Sequence, residues 1–283
     1  MSNSIDPVMT LGHVALTVSN LDRSIEFYRE VLGFQVRANI EGVAYLGAGS
    51  EDIVVLHENL QARRVRGTTG LYHFAVLVPS RVELAKSLKR LAETEYPVQG
   101  FADHLVSEAI YLPDPDGNGI EIYRDRPRDQ WPKLNGNIRM ATDPLDLDGV
   151  MAELDGQDTR WTGLHPQTTL GHMHLHVGNL QQANQFYGDV IGLDLIMRYG
   201  SAALFMSAGG YHHHLGLNTW AGLNAPPPPS DAIGLRYFTM NLPQSNEVGA
   251  IADRARNTGG SIEEREEGVL LRDPFQNGVM LTN

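Results

Sequence analysis

Near the start of the chain apolar and polar positions alternate: Val14, Leu16 and Val18 share one face of an extended segment, the mark of a strand with one buried side. A helical stretch over 21–32 follows, with Ser19 or Asn20 placed to cap its first turn and Gly33 placed to end it. Two short β-type runs, 42–47 and 53–57, come next, separated by the turn Gly49-Ser50-Glu51-Asp52. This is a βαβββ pattern. It starts again at Gly70-Leu71-Tyr72-His73-Phe74-Ala75-Val76-Leu77-Val78, and the whole chain reads as four such units, at about 11–58, 71–125, 170–220 and 234–282.

The second pair of units is a copy of the first. Leu11-Gly12-His13-Val14 returns as Leu170-Gly171-His172-Met173, Phe27-Tyr28 as Phe186-Tyr187, and Asp114-Pro115 as Asp273-Pro274, all displaced by 159 residues. Three matches at one displacement establish duplication. The predicted organisation is a first half at 8–125, a connector at 126–169 and a second half at 170–283. The connector is richer in Asp, Pro, Gly and Arg, and one short helix is expected near 146–154.

The 283 residues are 42% hydrophobic and 20% charged, an ordinary balance for a globular protein and too apolar for disorder. Cysteine is absent, so any metal must be held by His and carboxylate, and thiol nucleophiles are excluded. Lys+Arg 22 against Asp+Glu 34 gives a net charge of −12, which repels nucleic acid and anionic membranes. No apolar stretch approaches the roughly 20 residues of a membrane helix, and Met1 to Pro7 lacks the basic and apolar parts of a secretion signal. The expectation is a cytoplasmic, homo-oligomeric protein acting on a small molecule, with neither nucleic acid nor membrane as partner.

Several residues invite chemistry. Glu121 lies between Ile120 and Ile122 in a β-type run, where a carboxylate is costly unless it points outward, is paired or binds a metal. His73 sits in an otherwise apolar strand, at the place His13 and His172 take in theirs; a lone His there is a hydrogen-bonded core residue or a ligand. The run Tyr211-His212-His213-His214-Leu215 is either a solvated polar turn or part of a site. Asp114-Pro115-Asp116-Gly117 has turn composition. Phe27-Tyr28 and Phe186-Tyr187 read as core packing.

Four βαβββ units with His on first strands and Glu near a unit's end resemble the vicinal oxygen chelate superfamily, and within it the extradiol ring-cleavage dioxygenases. The most specific stretch is His104, five residues, Ile110-Tyr111, two residues, Asp114-Pro115-Asp116-Gly117-Asn118-Gly119-Ile120-Glu121; Ala102 departs from that pattern. The resemblance implies an α+β fold in which the four units form two pseudo-symmetric curved-sheet barrels. It also implies a two-His-one-carboxylate Fe(II) site, or Mn(II), with positions open for a catechol-type substrate and O2. His73 and Glu121 are two of the expected ligands. Repeat equivalence does not choose between His13 and His172 for the third. A His-His-x-Leu run in this family carries the acid/base, which aligns His213 with that role; the first unit has no His there, so pairing of units two and three, with His172 as ligand, assembles every part. His13 is then left with Tyr237 and Met280 in a pair unable to bind metal. His104 and Tyr111 align with residues that hydrogen-bond substrate or dioxygen. His174 is expected to line the pocket and His176 to be structural. A glyoxalase-type lyase or isomerase is the runner-up, weakened because Leu215, Gly216 and Leu217 offer no second carboxylate; a non-catalytic ligand-binding protein of the same fold is the other alternative.

Overall fold

The computed structural model describes residues 4–283. The four βαβββ units are all present. The first runs β1 (Thr10–Val18), α1 (Leu21–Glu26), β2 (Gln35–Ile40), β3 (Val43–Gly47) and β4 (Asp52–Glu58); the second β5 (Gly70–Leu77), α2 (Arg81–Glu93), β6 (Gly100–Asp103), β7 (Ser107–Pro113) and β8 (Gly119–Asp125). The connector carries the hairpin β9 (Lys133–Leu134) and β10 (Asn137–Ile138) and the helix α3 (Leu147–Ala152), close to its expected place. The third unit runs β11 (Thr169–His176), α4 (Leu180–Asn184), β12 (Asp194–Tyr199), β13 (Ala203–Ser207) and β14 (Leu215–Asn218). The fourth runs β15 (Gly234–Asn241), α5 (Ser245–Asn257), β16 (Ile262–Arg265), β17 (Gly268–Arg272) and β18 (Gly278–Thr282).

The strands order into two eight-stranded sheets, β16-β17-β18-β15-β1-β4-β3-β2 and β12-β13-β14-β11-β5-β8-β7-β6. Repeats one and four therefore share one sheet and repeats two and three the other, which is the pairing the His-His-x-Leu run implies. The fold is α+β, as expected. Compactness divides the chain differently from the duplication: one unit comprises the chain through Thr17, Gln61–Tyr72 and His172–Asn283, the other Val18–Leu60 and His73–Gly171.

In the second of these units Asn20 caps α1, accepting from the Arg23 N–H at 2.9 Å. Ser19, the other candidate cap, gives its N–H and hydroxyl to Asp116 instead, at 2.8 and 2.7 Å. The helix expected over 21–32 widens into a π-helix at Phe27–Val31, and its duplicate does so at Gln185–Ile191. The connector helix α3 starts on Asp146, whose carboxylate accepts from Gly149 N–H, and packs Leu145, Val150 and Leu154 against Ala85 of α2.

The tyrosines of the two π-helices are core residues with a further task. The Tyr28 hydroxyl donates to Asp114 at 3.2 Å, and Asp114 also accepts the N–H groups of Asp116 and Asn118 and the Asn118 amide. In the first unit Tyr187 donates to Asp273 at 3.1 Å, and Asp273 accepts from Phe275, Asn277 and the Asn277 amide. Burial raises both carboxyls, overriding these hydrogen bonds, and takes Asp273 up to about 6. A folded-state value above the unfolded one means that folding is helped by the protonated form. That help is complete below the unfolded value and is lost as pH rises through about 6. Between pH 5 and 7.5 the Asp273 share amounts to about 1 kcal/mol of lost stability. Urea unfolding of the wild type and Asp273→Asn at both pH values reads it: the variant is expected to lack that share of the slope, and identical slopes refute it.

Candidate active site

In the second unit strand register assembles three side chains. β8 lies parallel to β5, with His73 opposite Gly119 and Ala75 opposite Glu121, and antiparallel to β7, with Tyr111 opposite Glu121. Because side chains alternate along a strand, His73, Glu121 and Tyr111 emerge on one face. His73 Nε2 and Glu121 Oε2 are 3.1 Å apart, with 8% and 3% of their side chains exposed. The outward-facing alternative for Glu121 is therefore excluded. The Tyr111 ring stands 5.6 Å from that of His73.

His104 lies in the turn between β6 and β7. Its Nδ1 is 2.7 Å from the Ala141 carbonyl, and its Nε2 is 2.6 Å from the Tyr111 hydroxyl. A carbonyl only accepts, so Nδ1 carries the proton and the Nε2 lone pair receives the Tyr111 O–H. This His–Tyr pair is a connected polar element reaching from the connector to the face that holds Glu121.

In the first compact unit β11 presents His172, His174 and His176 on one face, the first two buried. Gly216 of β14 lies opposite His174, and a Cβ there would stand 2.8 Å from the imidazole Cγ, so the glycine makes room for that ring. The histidine run comes just before β14. His212 is fully buried and His213 nearly so, which removes the solvated-turn reading. The chain is turned into this position by Gly209 and Gly210, both left-handed, with φ of 59° and 67°. The His213 ring packs 4.2 Å from His172 and 4.9 Å from Phe205. His212 and His213 face each other through their Nδ1 atoms at 2.8 Å, so one of the two donates to the other. His214 turns away and accepts the Ala208 N–H.

An aromatic group that sequence reasoning missed surrounds His174: Tyr72 at 5.0 Å, Trp220 at 5.3 Å and Phe205 at 5.7 Å. His176 hydrogen-bonds Asn218 through Nδ1 at 2.7 Å. His13 meets Tyr237 at 5.8 Å, and Met280 is buried where its copy has Glu121. That set offers one imidazole and no carboxylate.

A family model, the Glyoxalase/Bleomycin resistance protein/Dioxygenase superfamily, matches residues 10–122 and again 169–281. The chain belongs to this superfamily. The two matches are themselves displaced by 159 residues, so the family unit is the duplicated half. Among superfamily relatives, a catechol-2,3-dioxygenase of Bacillus subtilis is 48% identical over 277 residues, covering 96% of each chain. A lactoylglutathione lyase of Neisseria meningitidis is 29% identical over 130 residues, 43% of this chain and 94% of its own. Among solved structures, glyoxalase I of Zea mays matches 97% of this chain and 92% of its own with a TM-score of 0.60 at 17% identity, a likeness of fold. Among the described residues no helix is long and apolar enough to cross a membrane.

Proposed function

We propose that the protein is an extradiol dioxygenase that opens catechol-type rings with O2 at a divalent metal, Fe(II) or Mn(II), held by His73, Glu121 and His172. One observation carries the reading: inside the second compact unit His73 Nε2 and Glu121 Oε2, both buried, stand 3.1 Å apart on one sheet face, a His–carboxylate pair to which His172 adds the second imidazole. The donor set fits the ion. Two imidazoles and one carboxylate suit a first-row divalent metal with positions left for substrate, and a bound cation would neutralise the buried carboxylate. Near-full-length similarity to a catechol-2,3-dioxygenase supports the substrate class. When bound, such a metal supplies Lewis acidity and an electron path between a catecholate and O2.

The protein's own groups have separate tasks in this reading. His213, buried against His172 and Phe205, takes a proton from a substrate hydroxyl at an imidazole nitrogen and returns it as the ring opens. His212 keeps that ring turned through the Nδ1 contact. Tyr111 accepts a substrate hydroxyl at its phenolic oxygen, because its own proton is given to His104 Nε2, and His104 thereby fixes the direction of that oxygen's lone pairs. The aromatic rings around His174 offer an apolar surface for a planar substrate ring.

The test is anaerobic loading with Fe(II) followed by catechol and air. A yellow ring-opened product with matching oxygen uptake is the expected result. Absence of both, with turnover of the methylglyoxal–glutathione adduct on Ni²⁺ or Zn²⁺, would replace this reading with a glyoxalase-type isomerase.

A further inference from the structure

Beside the His104–Tyr111 pair lies an ion network that the reaction itself does not use. Arg126 grips Asp103 with both arms of its guanidinium, Nη1 to Oδ1 at 2.5 Å and Nη2 to Oδ2 at 2.9 Å. Its Nη2 also reaches Glu108 Oε1 at 3.2 Å. Glu108 is 1% exposed and already receives Arg81 Nε at 2.9 Å and Arg124 Nε at 2.7 Å. Both of these guanidiniums reach Oε2, so Arg126 is the partner of Oε1, and that contact anchors the fork to the buried carboxylate.

What the fork holds is the residue before His104. Asp103 Oδ1 accepts the Leu105 N–H at 2.8 Å, and Leu105 sits in the left-handed region with φ of 69°. A leucine there is strained by about 1 kcal/mol and stays only while its surroundings hold it. On the other side, Asp103 and Asp143 exchange N–H···O bonds at 2.9 Å, which sets the Ala141 carbonyl against His104 Nδ1. The turn is therefore clamped from both sides, with the imidazole as the part that projects.

We propose that Asp103 and Arg126 are positioning residues that hold His104 in its Nδ1-protonated tautomer and so direct the Tyr111 hydroxyl. The inference rests on the functional reading of His104 and Tyr111 given above. The fork lowers the Asp103 carboxyl and raises the Arg126 guanidinium, each chiefly through its hydrogen bonds to the other, so both stay charged over the working range. Losing the fork lets Leu105 leave its strained conformation, and the imidazole then loses the Ala141 carbonyl or the Tyr111 hydroxyl.

The experiment is a double-mutant cycle on kcat/KM with the Fe(II)-loaded enzyme. Asp103→Asn and Arg126→Lys, which keep the polar shape, are combined with His104→Phe, and Tm is followed throughout. Each single variant is expected to lose about 10-fold, the scale of a small misplacement of a reacting group. In the His104→Phe background the same change should cost less than about 2-fold while its Tm shift persists. Equal losses in both backgrounds would make the fork a structural brace and overturn the proposal. Long-range 1H–15N spectra of histidine-labelled protein give an independent reading: His104 should be protonated at Nδ1 in the wild type and mixed in both fork variants. A pure Nδ1 tautomer in both variants also overturns it. Wild-type turnover by His104→Phe would instead refute the catalytic reading of His104, and the spectra alone would then decide the positioning.

Discussion

Glu121→Gln is expected to lose stable metal retention and more than about 100-fold in turnover, since even groups that only orient metal ligands cost 10- to 100-fold when removed. The same substitution is expected to leave the metal-free protein as stable as before, or more so. The reasoning concerns what the Glu121 carboxylate costs. With only 3% of its side chain exposed and His73 Nε2 at 3.1 Å, it is a carboxylate held away from water beside an imidazole. A charged group held away from water costs more than a neutral, hydrogen-bonded group of the same shape. Gln keeps an amide oxygen for His73 and sheds the charge. A residue kept for the fold would behave in the opposite way, with metal-free Tm falling and activity falling only as the protein unfolds. Metal content after anaerobic loading and gel filtration, steady-state turnover and metal-free Tm are the three readings. Wild-type metal content and turnover in Glu121→Gln would end the assignment of this residue.

The parts of this architecture that were readable in the sequence are those whose cause is local. Alternation in β1, β5, β11 and β15, and the helices after them, follow from side-chain period alone, and the common displacement exposes the duplication. Choices settled by distant partners were not readable. Ser19 and Asn20 are equivalent as caps until Asp116, far along the chain, captures Ser19. Composition alone leaves the His212-His213 run open between a solvated turn and a buried site; the two left-handed glycines before it turn the run inward. Tyr72, Phe205 and Trp220 carry no motif, and they meet His174 only through strand register and the space left by Gly216. The partner of His104 Nδ1 is a backbone carbonyl at Ala141, which has no side-chain signature at all. Candidate ligands were legible because their residue types are rare in apolar strands. Their supports are ordinary residues in particular places.

His213→Phe is expected to lower kcat by about 10²–10³-fold, the usual worth of a positioned acid/base. Metal content should stay at the wild-type level. Phenylalanine is chosen because the native ring packs 4.2 Å from His172 and 4.9 Å from Phe205, contacts that another aromatic ring can keep. What it cannot keep is the Nδ1 contact to His212 or any capacity to accept and return a proton. If His213 served only to fill the space beside His172, the variant would turn over substrate at nearly the wild-type rate. If it were a metal ligand, metal content would fall with turnover, as expected for Glu121→Gln. An acid/base predicts a third pattern: metal retained, substrate bound with little change in KM, and the chemical step slowed. Single-turnover measurements separate that step from binding, because loss of a group acting only in the chemistry lowers kcat and kcat/KM together. His212→Phe, which leaves the His213 imidazole in place but removes the nitrogen facing it, should show a smaller loss of the same kind. A His212→Phe loss equal to that of His213→Phe, alongside normal metal content, would transfer the proton-handling role from His213 alone to the pair.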